Sequence, residues 1–293
     1  MLKFLNTVLL IVITVFILLI VRVYLFKTPF WQSKISNTNL EMIESNVKQM
    51  DLFFKSAQQT PQQIANLLEI KDISIDEMRI IMKSALINEE IFGTCIAFEP
   101  GIATVNRQFH APYMYKNNDS TIFKDLNDNG YQYFYQDWYL IPKILQKPCW
   151  SEPYYDDGVD SLMITYSVPF FSFNGRKNEF AGIVTIDISL NWLFKFFNDT
   201  FKKNPYNGYS IMISENGTVI SAPKKEWIYN QTIYSLAAEE NMDILREIGR
   251  DIKNGKKGKK LFVNREQNKS YYYYYSVIPS CSWGIIYVLS KDM

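Results

Sequence analysis

The sequence has little of what catalysis and metal binding draw on. A single histidine, His110, stands among 293 residues, which removes His-based triads and zinc sites from consideration. Cysteine is scarce too. Cys95, Cys149 and Cys281 are an odd number without metal-like spacing, so no disulfide framework is implied, and a single bridge among them stays open. Cys95 and Cys281 lie in apolar runs and read as core. Glycine-rich phosphate loops, a nucleophile elbow and an HExxH motif are all missing. An excess of one charge is missing as well: the formal net charge is +1, without the basic face a nucleic-acid binder needs. No enzyme activity and no cofactor are expected within these residues.

What the chain has in plenty is aromatic rings, with 20 Phe, 20 Tyr and 6 Trp. These favour sheets and aromatic-lined pockets. The length is sufficient for one or two compact units. Apolar residues are concentrated at the start, where FLNTVLLIVITVFILLIV runs from Phe4 to Val21 and continues past Arg22 to Phe26. That matches the roughly 20 residues a bilayer-spanning helix needs. Lys3 precedes the run, as in a signal peptide, but no small-x-small cleavage site follows, so an uncleaved anchor over residues 1–31 is expected. Lys3 on one side and Arg22, Lys27 and Lys34 on the other give no orientation.

Residues 32–90 read as a stalk and N-terminal helices. Ile35, Leu40, Ile43, Val47, Met50, Phe53 and Phe54 recur at helical spacing. Thr60-Pro61 either kinks one long helix or opens a second. Ser74 and Glu77 fit a capping box for a further helix to about Asn88. Beyond Glu90 the pattern changes to strands at Gly93–Phe98 and Pro112–Tyr115. Asp125–Gly130 imitates the first half of a calcium loop, but the twelfth position is Gln136 where a bidentate Glu belongs, so a hydrated turn is expected. Ser161–Phe171 and Phe180–Leu190 flank FNGRKNE as an antiparallel hairpin, followed by a helix over Asn191–Lys202. A turn-rich stretch at 203–208 divides a distal unit, 91–203, from a proximal one, 204–293.

The proximal unit reads as strands at Tyr209–Ser214 and Thr218–Ala222, a helix at Asn241–Asn254, and strands at Leu261–Asn264, Tyr271–Ile278 and Trp283–Leu289. That order is PAS-like, with a helix on one side of an antiparallel sheet. GKKGKK at Gly255–Lys260 reads as a solvated hairpin, with a lipid-headgroup contact as the sharper alternative. The five tyrosines at 271–275 alternate between strand faces, so some are expected to be exposed. The fold class is therefore α+β: a transmembrane helix continuing into a long stalk helix, then two PAS-like units with antiparallel sheets.

A membrane span, a stalk and two consecutive PAS-like units resemble the double-Cache extracytoplasmic sensor domains of bacterial receptors, over Gln32 to Met293. DWYLIPK, WSEPYYDDG, LMITYSVPF and GIVTIDISLNWL look especially like the sensor regions of membrane-bound serine/threonine phosphatases that regulate stress sigma factors. ISENGTVISAP, ILREIGRDIKNGKKG and SWGIIYVLSKD echo that likeness in the proximal unit. The resemblance implies a ligand in the distal unit, held by a spaced aromatic and acidic set. Tyr131, Trp138, Tyr139, Tyr154, Asp156 and Asp187 fall where that motif wants them. Gln136 departs from it, standing where amino-acid sensors carry an arginine that clamps the ligand carboxylate.

Apart from the resemblance, Asp156 and Asp187 can each accept a charge-assisted hydrogen bond from an ammonium group, and aromatic faces add cation–π attraction. Two carboxylates without a cation between them repel and are costly to desolvate. The expected ligand is a small amine or amino-containing molecule rather than a standard α-amino acid. The expected function is the extracytoplasmic sensor domain of a transmembrane signalling protein, at the plasma membrane of a bacterium, with any effector beyond Met293. A single-pass, membrane-anchored solute-binding protein is the alternative. Expected partners are the ligand, membrane lipid along residues 4–26 and a second copy through the stalk helix.

Overall fold

The computed structural model describes residues 13–22, 29–71, 73–102, 108–118, 120–156, 159–172, 178–201, 208–265 and 268–291. Both ends of the expected membrane span, residues 173–177 of the FNGRKNE turn and residues 202–207 of the boundary stretch lie outside these residues. Two compact units divide at Ser45 and Asn46. In the first, α1 (residues 13–22) is a helix whose apolar side chains are all exposed. No helix among the described residues is long and apolar enough to cross a membrane. The join between span and stalk, at residues 23–28, is likewise undescribed.

α2 (Pro29–Ile70) is one helix of 42 residues with Pro61 inside it. Of the two outcomes expected at Thr60-Pro61, the uninterrupted helix is the one observed. From Asn46 onward α2 buries Val47, Met50, Phe54, Ala57, Ile64 and Leu68, at the three- and four-residue spacing that marks one face. α3 (Ile75–Ala85) opens on the expected capping box: the Glu77 amide donates to Ser74 Oγ at 3.3 Å and the Ser74 amide to Glu77 Oε2 at 2.9 Å.

Then come β1 (Gly93–Phe98), β2 (Pro112–Asn117), β3 (Ser120–Asp125), α4 (Asp137–Leu145), β4 (Cys149–Trp150), β5 (Tyr154–Asp156), β6 (Ser161–Phe170) and β7 (Gly182–Ser189). They form a seven-stranded sheet in the order β3-β2-β1-β7-β6-β4, with β5 also on β6. Every pairing is antiparallel. β3 was not expected from the sequence, because STIFKD lacks a clean apolar alternation, and only its last residue, Asp125, is buried. The half calcium loop is a hydrated turn only in part. Asp125 is buried, accepting from the Ala111 and Asn127 amides and pairing with His110 Nδ1 at 2.6 Å.

After α5 (Leu190–Phe201) come β8 (Gly208–Ile213), β9 (Val219–Ser221), α6 (Ile233–Glu239), α7 (Asp243–Lys253), β10 (Gly258–Asn264), β11 (Lys269–Ile278) and β12 (Trp283–Ser290). The strands form a five-stranded sheet ordered β10-β11-β12-β8-β9. Leu245, Ile248 and Ile252 of α7 join Ile211, Ile213, Ile286 and Val288 in its core. α6 is an addition to the expected order, capped by Thr232 and Ser235.

The tyrosine run also departs from expectation. Tyr273, Tyr274 and Tyr275 are all buried, and Tyr271 and Tyr272 are half-buried. The basic run contributes to this: Lys259 Nζ stands 3.8 Å from the Tyr272 ring centre, and Lys260 pairs with Glu247 at 2.9 Å and Asp251 at 3.4 Å. Phe54 of α2 lies edge-on to Trp150 of the larger sheet and Trp283 of the smaller, with ring centres 5.2 and 4.9 Å away. Glu152 accepts from Ser214 Oγ at 2.6 Å and from Asn216 at 3.0 Å. All three cysteines are free thiols.

Candidate functional site

Strand pairing decides which side chains meet. Directly opposed residues on antiparallel strands point to the same face. Asp187 on β7 is opposed by Thr165 on β6 and Gly93 on β1. Tyr154 and Asp156 on β5 are opposed by Met163 and Ser161, which share the face of Thr165 at the two-residue strand period. Over this face, next to Cys95, Ala97 and Ile183, lie the rings of Tyr133, Trp138 and Tyr139.

Asp187 is the chemical centre. It is 5% exposed, and burial, with the nearby Asp156 charge adding, pushes its carboxyl up to about 6 against the pull of Thr165 and Tyr113. Thr165 Oγ1 donates to Asp187 Oδ1 at 2.7 Å, and the Tyr154 hydroxyl stands 2.7 Å from Thr165 Oγ1. Because threonine has one hydroxyl proton and gives it to the carboxylate, Tyr154 is the donor in the second bond. The result is a relay from Tyr154 through Thr165 to Asp187.

Tyr113 approaches the same carboxylate from β2. Its hydroxyl is buried and close enough to lower the Asp187 pKa, but does not reach full hydrogen-bond geometry with any partner among the described residues. It lies there because position 93 is glycine. A Cβ at Gly93 would stand 2.9 Å from Cε2 and Cζ of the Tyr113 ring. Lys124, opposite Tyr113 on β3, holds its ammonium 5.7 Å from the Tyr113 ring centre. Among the described residues no lysine or arginine forms an ion pair with Asp187.

The remaining sequence-predicted residues divide into two groups. The Trp138 indole donates to the Tyr131 hydroxyl at 3.3 Å. Burial raises Tyr131 to about 12 in spite of that bond, with the Asp156 and Asp187 charges adding to the rise. Tyr131, Trp138, Tyr154, Asp156 and Asp187 therefore belong to one neighbourhood. Tyr139 is turned elsewhere. Its hydroxyl donates to Glu99 Oε2 at 2.6 Å, and Lys143 holds the same carboxylate at 2.7 Å, so Tyr139 packs the core beside the site. Gln136 sets the first turn of α4 through its backbone carbonyl, which accepts from the Leu140 amide at 2.8 Å. Its side chain makes no capping bond.

Thr165, Tyr113 and Gly93 were missed by the sequence reading. Thr165 had a usable signal: it is a polar residue inside LMITYSVPF, and pairing the two flanking strands as a hairpin brings it opposite Asp187. Tyr113 had none, because its role depends on reaching across β1. His110 has a partner in Asp125. Burial works to raise Asp125, but its bonds from His110, Asn127 and Ala111 outweigh this and hold it below the usual carboxylate range. His110 also stacks on Phe98, with ring centres 5.6 Å apart. This pair ties β2 and β3 to β1 away from Asp187.

Residues 78–195 match the family model described as methyl-accepting chemotaxis protein-like, first PDC sensor domain. No curated protein matches the chain in sequence. Among solved structures, the extracellular domain of a protein described as a histidine kinase, mmHK1S-Z3, is 25% identical with a TM-score of 0.70, covering 86% of this chain and 95% of that one. The ligand-binding domain of the Pseudomonas aeruginosa amino acid chemoreceptor PctB, in complex with L-Arg, is 16% identical with a TM-score of 0.62 and covers 88% of each chain. That of the P. aeruginosa chemoreceptor PctC, in complex with GABA, is 14% identical with a TM-score of 0.59, covering 86% of this chain and 99% of that one. Residues 78–195, which carry Asp187, thus resemble a first PDC sensor domain, and the chain shares its fold of two antiparallel sheets with the extracellular sensor domains of receptors over most of its length.

Proposed function

We propose that the chain is the extracytoplasmic ligand-sensing part of a membrane signalling protein, and that its distal unit binds a small amine or amino-containing molecule. One observation carries the ligand class: Asp187 is buried, forms no ion pair among the described residues, and feels the negative charge of Asp156. An ammonium group on the ligand supplies the missing charge. It is met by Asp187 and Asp156, while Tyr131, Trp138 and Tyr154 present ring faces to it. Gln136 offers only neutral hydrogen bonds where a ligand carboxylate would profit from an arginine, a difference of roughly 1.5–3 kcal/mol. The amino-acid and GABA complexes of PctB and PctC support ligands that carry an ammonium group. Ligand binding would bias the packing between the sheet and α2.

Isothermal titration of the full chain with ethanolamine, putrescine, GABA, L-arginine and L-glutamine tests this. Saturable binding is expected for at least one of the amines or GABA, weakened more than tenfold by Asp187→Asn. Binding of the α-amino acids that survives Asp187→Ala would sink the amine reading.

A further inference from the structure

The five-stranded unit contains a cavity of about 250 Å³ between its sheet, α6 and the start of α7. It lies apart from Asp187 and from every residue assigned to the distal site. Leu236 supplies apolar wall from α6, and Tyr209 and Tyr273 supply aromatic wall from β8 and β11. Trp227, Lys224 and Glu240 also line it. A cavity of roughly 150 Å³ is enough to admit benzene, so this one has room for a ring with a short polar arm.

The polar groups at its edge indicate what that arm is. Lys224 Nζ lies 4.5 Å from the Trp227 ring centre and 3.6 Å from Glu240 Oε1. The second distance is well beyond the roughly 2.8 Å of a charge-assisted bond. Both side chains are about half exposed, so the pair is weak and readily exchanged. An incoming anion displaces only Glu240 and leaves the ammonium on the indole face. An incoming cation would have to displace Lys224 from both partners. The Tyr209 and Tyr273 hydroxyls lie close enough to influence each other's titration, and a tyrosine hydroxyl can donate to a ligand acceptor.

We propose that this cavity is a second ligand site, for a small carboxylate with an aromatic or aliphatic body, whose carboxylate pairs with Lys224 while its apolar part lies against Trp227, Tyr209 and Leu236. The sensor would then read two chemically different ligands, one in each sheet unit.

Titration calorimetry of the full chain with sodium benzoate and sodium phenylacetate tests the proposal. Saturable one-to-one binding of at least one is expected. Lys224→Gln should weaken it about tenfold, and Glu240→Gln should tighten it, because the competing carboxylate is gone. The opposite signs separate charge recognition from simple damage to the fold, and Asp187→Asn should leave the affinity unchanged. Absence of saturable binding for both probes would overturn the proposal. So would binding indifferent to Lys224→Gln, or binding lost with Asp187→Asn.

Discussion

Asp187 is an acid in a place that favours its neutral form, and the free protein bears the consequence. Its folded-state pKa of about 6 lies above the ordinary value of 3.8. Between those values the folded state holds the proton more firmly than the unfolded chain does. Stability therefore falls as pH rises through that window, and the penalty is fully present above it, at roughly 3 kcal/mol or less. The groups facing Asp187 are Tyr113, Thr165, Tyr154 and Asp156, none of which brings a compensating positive charge. Asp187→Asn should raise the thermal midpoint of the ligand-free protein at pH 7.5, and the gain should vanish near pH 4. Melting curves of both proteins across that range check this. A variant at a purely structural aspartate would lose stability instead.

At the scale of elements, the site depends on how closely strands and side chains approach one another. β1 has no side chain at Gly93, so the Tyr113 ring occupies the space beside Asp187. Gly93→Ala should cost about 1–3 kcal/mol by overpacking. It should also weaken amine binding, because the Tyr113 hydroxyl is pushed from the carboxylate. Chemical denaturation and titration of the same variant measure the two effects. Benzoate binding in the other sheet unit should not change, which distinguishes a local displacement from general loosening. α4 contributes in a comparable way, placing Trp138 over the sheet while Tyr139, on the same face, is secured by Glu99 and Lys143.

At the scale of the molecule, residues 46–293 are one compact unit although their strands form two sheets. Phe54 connects them, being fully buried between Trp150 and Trp283. Phe54→Ala should cost about 3–5 kcal/mol. It should also turn a single calorimetric unfolding transition into two, one for each sheet. If the unfolding stays single and merely shifts, the sheets are coupled through other contacts, such as Glu152 with Ser214 and Asn216.

Much of this was legible in the sequence by itself, because it is encoded locally. Apolar spacing marked α2, serine and glutamate three apart marked the start of α3, and strand-like runs bounded by turns marked β6, β7, β11 and β12. The resemblance carried by DWYLIPK and GIVTIDISLNWL identified the sensor class. Only the tertiary structure assembled the relay from Tyr154 through Thr165 to Asp187, because it joins three strands through their register. The same holds for Tyr113, whose position depends on a missing Cβ in a neighbouring strand, and for β3, whose sequence lacks a periodic signal. It also separated Tyr139, a core residue tied to Glu99, from the aromatic neighbours it accompanies in sequence. Periodicity reveals which face of an element is buried; which side chains meet across that face is decided by strand pairing and close packing between residues far apart in the chain.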